Sequence, residues 1–163
     1  MSAWLILALI LAPEASARIG LSTQFIDVEL EDLRPGGVYN VREARGVPYS
    51  VRNRGTDPVE VRVEALVPKA VEAPYAALPD PSWVEFNPGA MRIAPESLGV
   101  CDIIIRIPDD PALSGRRFQA TLWAHTVGTG LFGAGVNSRL RLSIGVSPEI
   151  AARIGSFLEG RKP

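Results

Sequence analysis

From Phe25 onward the chain alternates. Ile26, Val28 and Leu30 take one parity, while Asp27, Glu29 and Glu31 take the other. Successive side chains of a strand point to opposite faces, so this run predicts a strand with its apolar set toward a core and its acidic set toward water. Pro35-Gly36-Gly37 then breaks the pattern. A second run places Val47, Tyr49 and Val51 on one face and ends in the turn formers Asn53-Arg54-Gly55-Thr56-Asp57-Pro58. Beyond them Val59, Val61, Val63, Ala65 and Val67 alternate with Glu60, Arg62 and Glu64. Two alternating runs joined by such a cluster predict a β-hairpin.

The stretch from Pro68 to Pro81 holds four prolines and no sustained alternation. It predicts a loop crossing between two sheets, with room for one short edge strand. Trp83-Val84-Glu85-Phe86 is a short strand closed by the turn Asn87-Pro88-Gly89, and Met91 to Ile93 a brief segment after it. Val100 to Ile107 is apolar enough for a central strand. Phe118, Ala120, Leu122 and Ala124 mark the next, with Gln119, Thr121, Trp123 and His125 on its outer face. In the last strand Val136, Ser138, Leu140, Leu142, Ile144 and Val146 alternate with Asn137, Arg139 and Arg141. About seven short strands with turn signals at this spacing, and no helical period between them, predict an all-β, immunoglobulin-like antiparallel β-sandwich, with a jelly roll as the alternative topology.

Both ends depart from the period of two. Trp4 to Ala12 is an apolar run followed by Pro13, Glu14 and the small triplet Ala15-Ser16-Ala17, the pattern of a signal peptide cleaved after residue 17. Nine apolar residues are far fewer than the ~20 a membrane-spanning helix needs; the competing reading is a buried N-terminal strand or helix. At the other end Ser147 can cap a helix and Pro148 suits its first turn. Ile150, Ile154, Phe157 and Leu158 then form one apolar stripe before Gly160. A helix of about twelve residues is marginal alone, so this stripe is expected to serve as core or as an interface. The expected organisation is a signal peptide over 1–17, a sandwich over 18–146 and a helical tail over 147–163.

Of the 163 residues, 17 are basic and 18 acidic, a balance that offers no electrostatic funnel and argues against a nucleic-acid partner. Cys101 is the only cysteine, so no disulfide can form within the chain, and its place among Ile103, Ile105 and Ile107 marks it as a buried small hydrophobe. His125 is the only histidine and is expected at an exposed strand end. With no G-x-S-x-G elbow and no ligand-type spacing, neither a triad nor a metal site is expected, and no cofactor. Asp27, Glu29, Glu31 and Asp32 are accounted for as a solvated strand face without the spacing of a calcium loop.

Gly128-Thr129-Gly130-Leu131-Phe132-Gly133 matches G-x-G-x-x-G. The dinucleotide fingerprint works because its loop opens a helix whose terminal amides hold a pyrophosphate; here the loop leads into a strand, so it predicts a plain connection. Leu131 and Phe132 at its tip are apolar side chains on a glycine loop, suited to a binding edge. Together with Ile150, Ile154, Phe157 and Leu158 they are the expected partner-binding residues.

Three segments carry a resemblance: Trp83-Val84-Glu85-Phe86-Asn87-Pro88 through Ile93-Ala94-Pro95, then Ile103-Ile104-Ile105-Arg106-Ile107-Pro108-Asp109, then Gly115-Arg116-Arg117-Phe118-Gln119-Ala120. The pattern resembles the immunoglobulin-like peptidoglycan-binding domain of WxL-interacting proteins. It is also similar to the N-terminal domain of periplasmic pilus chaperones. The resemblance implies an exported, non-catalytic binding module of the bacterial cell envelope, periplasmic or at the surface. Such a module recruits a protein or cell-wall glycan through a sheet edge or the loops at one end. The alternative is a structural or assembly subunit, chaperone-like or pilus-like, forming homo- or hetero-oligomers. No membrane span is expected in the mature chain.

Overall fold

The computed structural model describes residues 18–128 and 133–146. Eleven strands lie among them: β1 (Leu21–Ser22), β2 (Asp27–Leu33), β3 (Val38–Asn40), β4 (Tyr49–Asn53), β5 (Val59–Leu66), β6 (Ala76–Ala77), β7 (Val84–Asn87), β8 (Ala90–Ile93), β9 (Leu98–Arg106), β10 (Arg117–Val127) and β11 (Gly135–Ile144). One sheet is centred on β9, with β4 and β3 on one edge, β7 on the other, and β1 outside β4. The second runs β2-β11-β10-β5-β8, with β6 beside β10. We call these the β9 sheet and the β10 sheet.

The immunoglobulin-like sandwich is as the alternation predicts, and its core is the inward parity of both sheets. Val51, Cys101, Ile103 and Ile105 face Val61, Ala120, Leu122, Leu140 and Leu142, all buried. Phe25 packs edge-on against Tyr49 at 5.1 Å, and Trp83 against Phe118 at 5.5 Å. The Tyr49 hydroxyl lies beside Ser138 in this core without a hydrogen bond of good geometry, and burial raises its pKa.

Several expectations are corrected. β4 and β5 are not a hairpin: they belong to different sheets, and Asn53 to Pro58 is a crossover. The side-chain nitrogen of Asn53, fully buried, donates to the carbonyls of Asp57, Ile93 and Ala94 at 2.7, 3.2 and 3.3 Å, and its oxygen accepts from Gly55 N at 2.8 Å. That set satisfies the backbone groups that the crossover strips of ladder partners. The sandwich is also not wholly antiparallel, since β2 pairs with β11, and β6 with β10, in parallel. Pro68 to Pro81 does cross between the sheets with one short strand on the way, as expected. It stays on the β10 sheet through β6, and the 3₁₀ turn Pro81–Trp83 then leads into β7 of the other sheet.

A short helix, α1 (Val41–Arg45), interrupts what would be one strand along β9. Asn40 accepts from Arg42 N at its start, and Gly46 closes it at φ 74°. Val41 is buried under it, Arg42 pairs with Asp102 of β9 at 2.7 Å, and Val47 is consequently pushed out to solvent. In β2, Asp32 takes φ 56° and the register to β11 slips by one. This bulge returns Leu33 to the core, three residues after Leu30.

Candidate functional site

β10 and β11 turn their second parity outward. Gln119, Thr121, Trp123 and His125 stand opposite Arg141, Arg139, Asn137 and Gly135. The segment between β5 and β6, residues 67–75, folds over this face, and between them lies a cavity of about 440 Å³. Gln119, Thr121, Asn137 and Arg139 form its floor. Pro68, Lys69 and Ala70 make one wall, and Ile26 and Asp27, at the start of β2, the other. Ile26 is therefore not core, as its parity suggested: it is 71% exposed at the rim.

Charges hold the overhanging segment down. Arg139 reaches Asp27 at 3.4 Å and Glu72 at 3.2 Å, and Arg141 reaches the same two carboxylates at 3.1 and 3.2 Å. The Arg141 guanidinium also lies 5.2 Å from the centre of the Tyr75 ring. The Tyr75 hydroxyl donates to Glu29 Oε1, which also accepts from Ser143 Oγ at 3.1 Å. The Tyr75 bond holds the Glu29 carboxyl below its ordinary pKa, and the same bond raises that of Tyr75. Asp27 and Glu29 are thus parts of a latch and not a bare solvated face.

Gln119 is 4% exposed, yet its Oε1 accepts no hydrogen bond among the described residues. An unpaired buried acceptor costs about 1–3 kcal/mol, and almost all buried polar groups find partners. Asn137, exposed, and Thr121, half-buried, stand on the same floor. Asp27 and Glu72 balance Arg139 and Arg141, while Lys69 has no acidic partner among the described residues. The floor is therefore close to neutral and rich in hydrogen-bonding groups.

Beyond the cavity on the same strand, Trp123 and His125 stack with ring centres 3.9 Å apart. The His125 side chain is only 17% exposed, with Nε2 3.7 Å from Glu64 Oε2. It is half-buried against an aromatic ring, not free at a strand end. Burial pushes the Cys101 thiol up to about 12. Among the described residues no group of three or more His, Cys, Asp or Glu side chains is arranged to hold a metal ion, and no helix is long and apolar enough to cross a membrane.

Leu131, Phe132, Ile150, Ile154, Phe157 and Leu158 lie outside the described residues, as does the segment 1–17. The cavity residues were not singled out by the sequence pattern. Their signal was the polar outer parity of β10 and β11, Gln119-x-Thr121 and Asn137-x-Arg139, which reads equally well as a solvated face.

No family model matches the chain, and no curated protein matches it. Solved structures do. A candidate carbohydrate-binding protein from Bacteroides ovatus aligns over 78% of this chain and 37% of its own length, at 12% identity and a TM-score of 0.58. The ASH/PapD-like domain 7 of human CEP192 covers 90% of this chain and 98% of that domain, at 12% identity and a TM-score of 0.53. The periplasmic chaperone SfaE covers 82% and 62%, at 12% identity and a TM-score of 0.52. The chain thus spans little more than a third of the first of these proteins and under two thirds of the last. At such identities the likeness is one of fold, the immunoglobulin-like sandwich. The pilus-chaperone side of the sequence resemblance holds at that level. The peptidoglycan-binding side has no counterpart among these three.

Proposed function

We propose that this protein is an exported, non-catalytic binding module of the bacterial cell envelope that holds a glycan or protein partner in the cleft on the outer face of the β10 sheet. The observation that carries the reading is the cleft itself, about 440 Å³ between the outer face of the β10 sheet and the segment 67–75, floored by Gln119, Thr121, Asn137 and Arg139. A sandwich has no need of such a covered polar hollow, whereas a ligand with hydrogen-bonding groups would fill it. The covering segment 67–75 is an addition to the sheet, held there by its own ion network, as suits a wall built for a site and not for the core.

Other features support the reading without carrying it. The fold is shared with a periplasmic chaperone and with a candidate carbohydrate-binding protein. The leader pattern ending at Ala17 suits export. Among the described residues no nucleophile and base are paired around the cleft, and His125 lies outside its lining. The test is retention of the purified protein on immobilised bacterial envelope material. Asn137→Ala, an exposed change, is expected to weaken retention about ten-fold if it removes one ligand hydrogen bond. Equal retention of the variant would remove the cleft from the reading.

A second reading, a subunit of a surface assembly, has one observation in its favour. The outer face of the β9 sheet shows Val38, Leu98 and Val100, exposed by 57, 54 and 41%. β9 thus carries apolar residues on both faces, as a strand covered on both sides does. Sedimentation at micromolar concentration separates the two readings: a monomer throughout excludes self-assembly.

A further inference from the structure

We infer that the cleft takes a neutral oligosaccharide, an inference that rests on the reading of the cleft as the binding site. Both edges of β10 are paired, to β11 on one side and to β5 and β6 on the other, and β11 is enclosed between β10 and β2. No unpaired backbone is available on the floor, so a peptide cannot add there as a strand, the route by which extended chains usually bind sheets. Recognition must come from side chains alone.

Those side chains are an amide at Gln119, a hydroxyl at Thr121 and an amide at Asn137, spread over two adjacent strands. They suit a ligand that presents many donors and acceptors on a rigid frame. A nucleic-acid backbone needs several free cations, and here Arg139 is already bonded to Asp27 and Glu72, which leaves Lys69 alone on the wall without an acidic partner among the described residues. An apolar ligand would cover the exposed Asn137 amide and the half-buried Thr121 hydroxyl without giving them partners. Ile26 at the rim and Pro68 on the facing wall supply apolar surface against which the C–H face of a sugar ring can lie. A cavity of about 440 Å³ is of the size that holds small-molecule ligands and has room for about one or two sugar rings.

The experiment measures affinity for a panel of soluble neutral oligosaccharides, acidic oligosaccharides and unstructured peptides. It compares the wild-type chain with Gln119→Leu and Asn137→Ala. Trp123, on the same outer face, provides a fluorescence reporter. Binding of at least one neutral oligosaccharide, weakened about ten-fold or more in both variants, is expected. Gln119→Leu is also expected to raise the melting midpoint, because it removes an unpaired buried polar atom. Gain of stability with loss of binding is a combination that a merely structural glutamine would not produce. If Gln119→Leu fails to fold, Asn137→Ala alone decides. Envelope material treated with periodate, which cleaves vicinal diols, should lose retention, while protease treatment should leave it intact. The reverse pattern, or no oligosaccharide bound at millimolar concentration, overturns the glycan inference. Envelope retention that still depends on Asn137 would then leave the cleft reading standing; retention indifferent to both substitutions overturns both.

Discussion

The side-chain nitrogen of Asn53 donates to the backbone carbonyl of Ile93, 3.2 Å away, and so ties the end of β4 in one sheet to the end of β8 in the other. With the carbonyls of Asp57 and Ala94 and the amide of Gly55, one buried side chain serves four backbone groups. Asn53→Ala strips partners from all of them at once. Loss of about 2–4 kcal/mol is expected, more than a single exposed bond would account for. Urea unfolding would show it as a lower midpoint with an unchanged slope. A loss within ~0.5 kcal/mol would mean that water replaces the amide there.

The latch over the cleft should respond to pH from both sides. The Tyr75 hydrogen bond lowers the Glu29 pKa from its ordinary 4.5. Its contribution to stability is therefore in place above that value and is lost as pH falls through the lower folded value. For Tyr75 the same bond raises the pKa above 10. That contribution is in place below 10 and is lost as pH rises through the folded value. Tyr75→Phe should thus be less stable than wild type near neutrality, with the gap closing in acid. A gap constant from pH 7 to pH 2 would show that the hydroxyl acts through packing and not through Glu29.

The inward parity of β5, β9, β10 and β11 was plain in the sequence, because alternation reports directly on which face is buried. Sheet membership was not. Asn53 to Pro58 has the composition of a hairpin turn, and nothing local distinguishes a turn that returns to the same sheet from one that crosses to the other. That choice is made by Asn53 bonding a strand forty residues away. α1 escaped because five residues cannot display a helical period, although Asn40 and Gly46 stood in cap positions. Ile26 shares the parity of Val28 and Leu30 and was misassigned, since it stands one residue before β2 begins and is 71% exposed there. The cleft itself depends on pairing Glu72 with Arg139 and Arg141 across nearly seventy residues, and ordinary surface charges carry no such information.

That pairing makes Arg141 the residue to remove. Its guanidinium touches Asp27, Glu72 and the Tyr75 ring, so Arg141→Ala should loosen residues 67–75 while leaving the sheets intact. Half-exposed ion pairs contribute only about 0.2–1 kcal/mol each, and global stability should fall by about 1 kcal/mol. Local opening should change more. Lys69 lies in the released segment and is exposed, so trypsin should nick after it several-fold faster in the variant than in wild type. Equal nicking rates would show that Arg139 alone suffices to hold the segment.

Cys101 offers the complementary measurement of global opening. It pairs with Tyr49 across β9 and β4 and is 1% exposed. Burial, with the neighbouring Asp102 adding to it, pushes the thiol up to about 12. At pH 8.5 the thiolate is then on the order of one molecule in three thousand, and the sulfur is shielded besides. A thiol reagent should therefore label the native protein only through unfolding. The labelling rate should rise with urea in step with the unfolded fraction, and Asn53→Ala should accelerate it by the factor its stability loss implies. Labelling in water at the rate of a free thiol would mean that β9 opens locally. The exposed Leu98 and Val100 on its other face would then sit on a mobile strand, and the assembly reading would lose the rigid surface it needs.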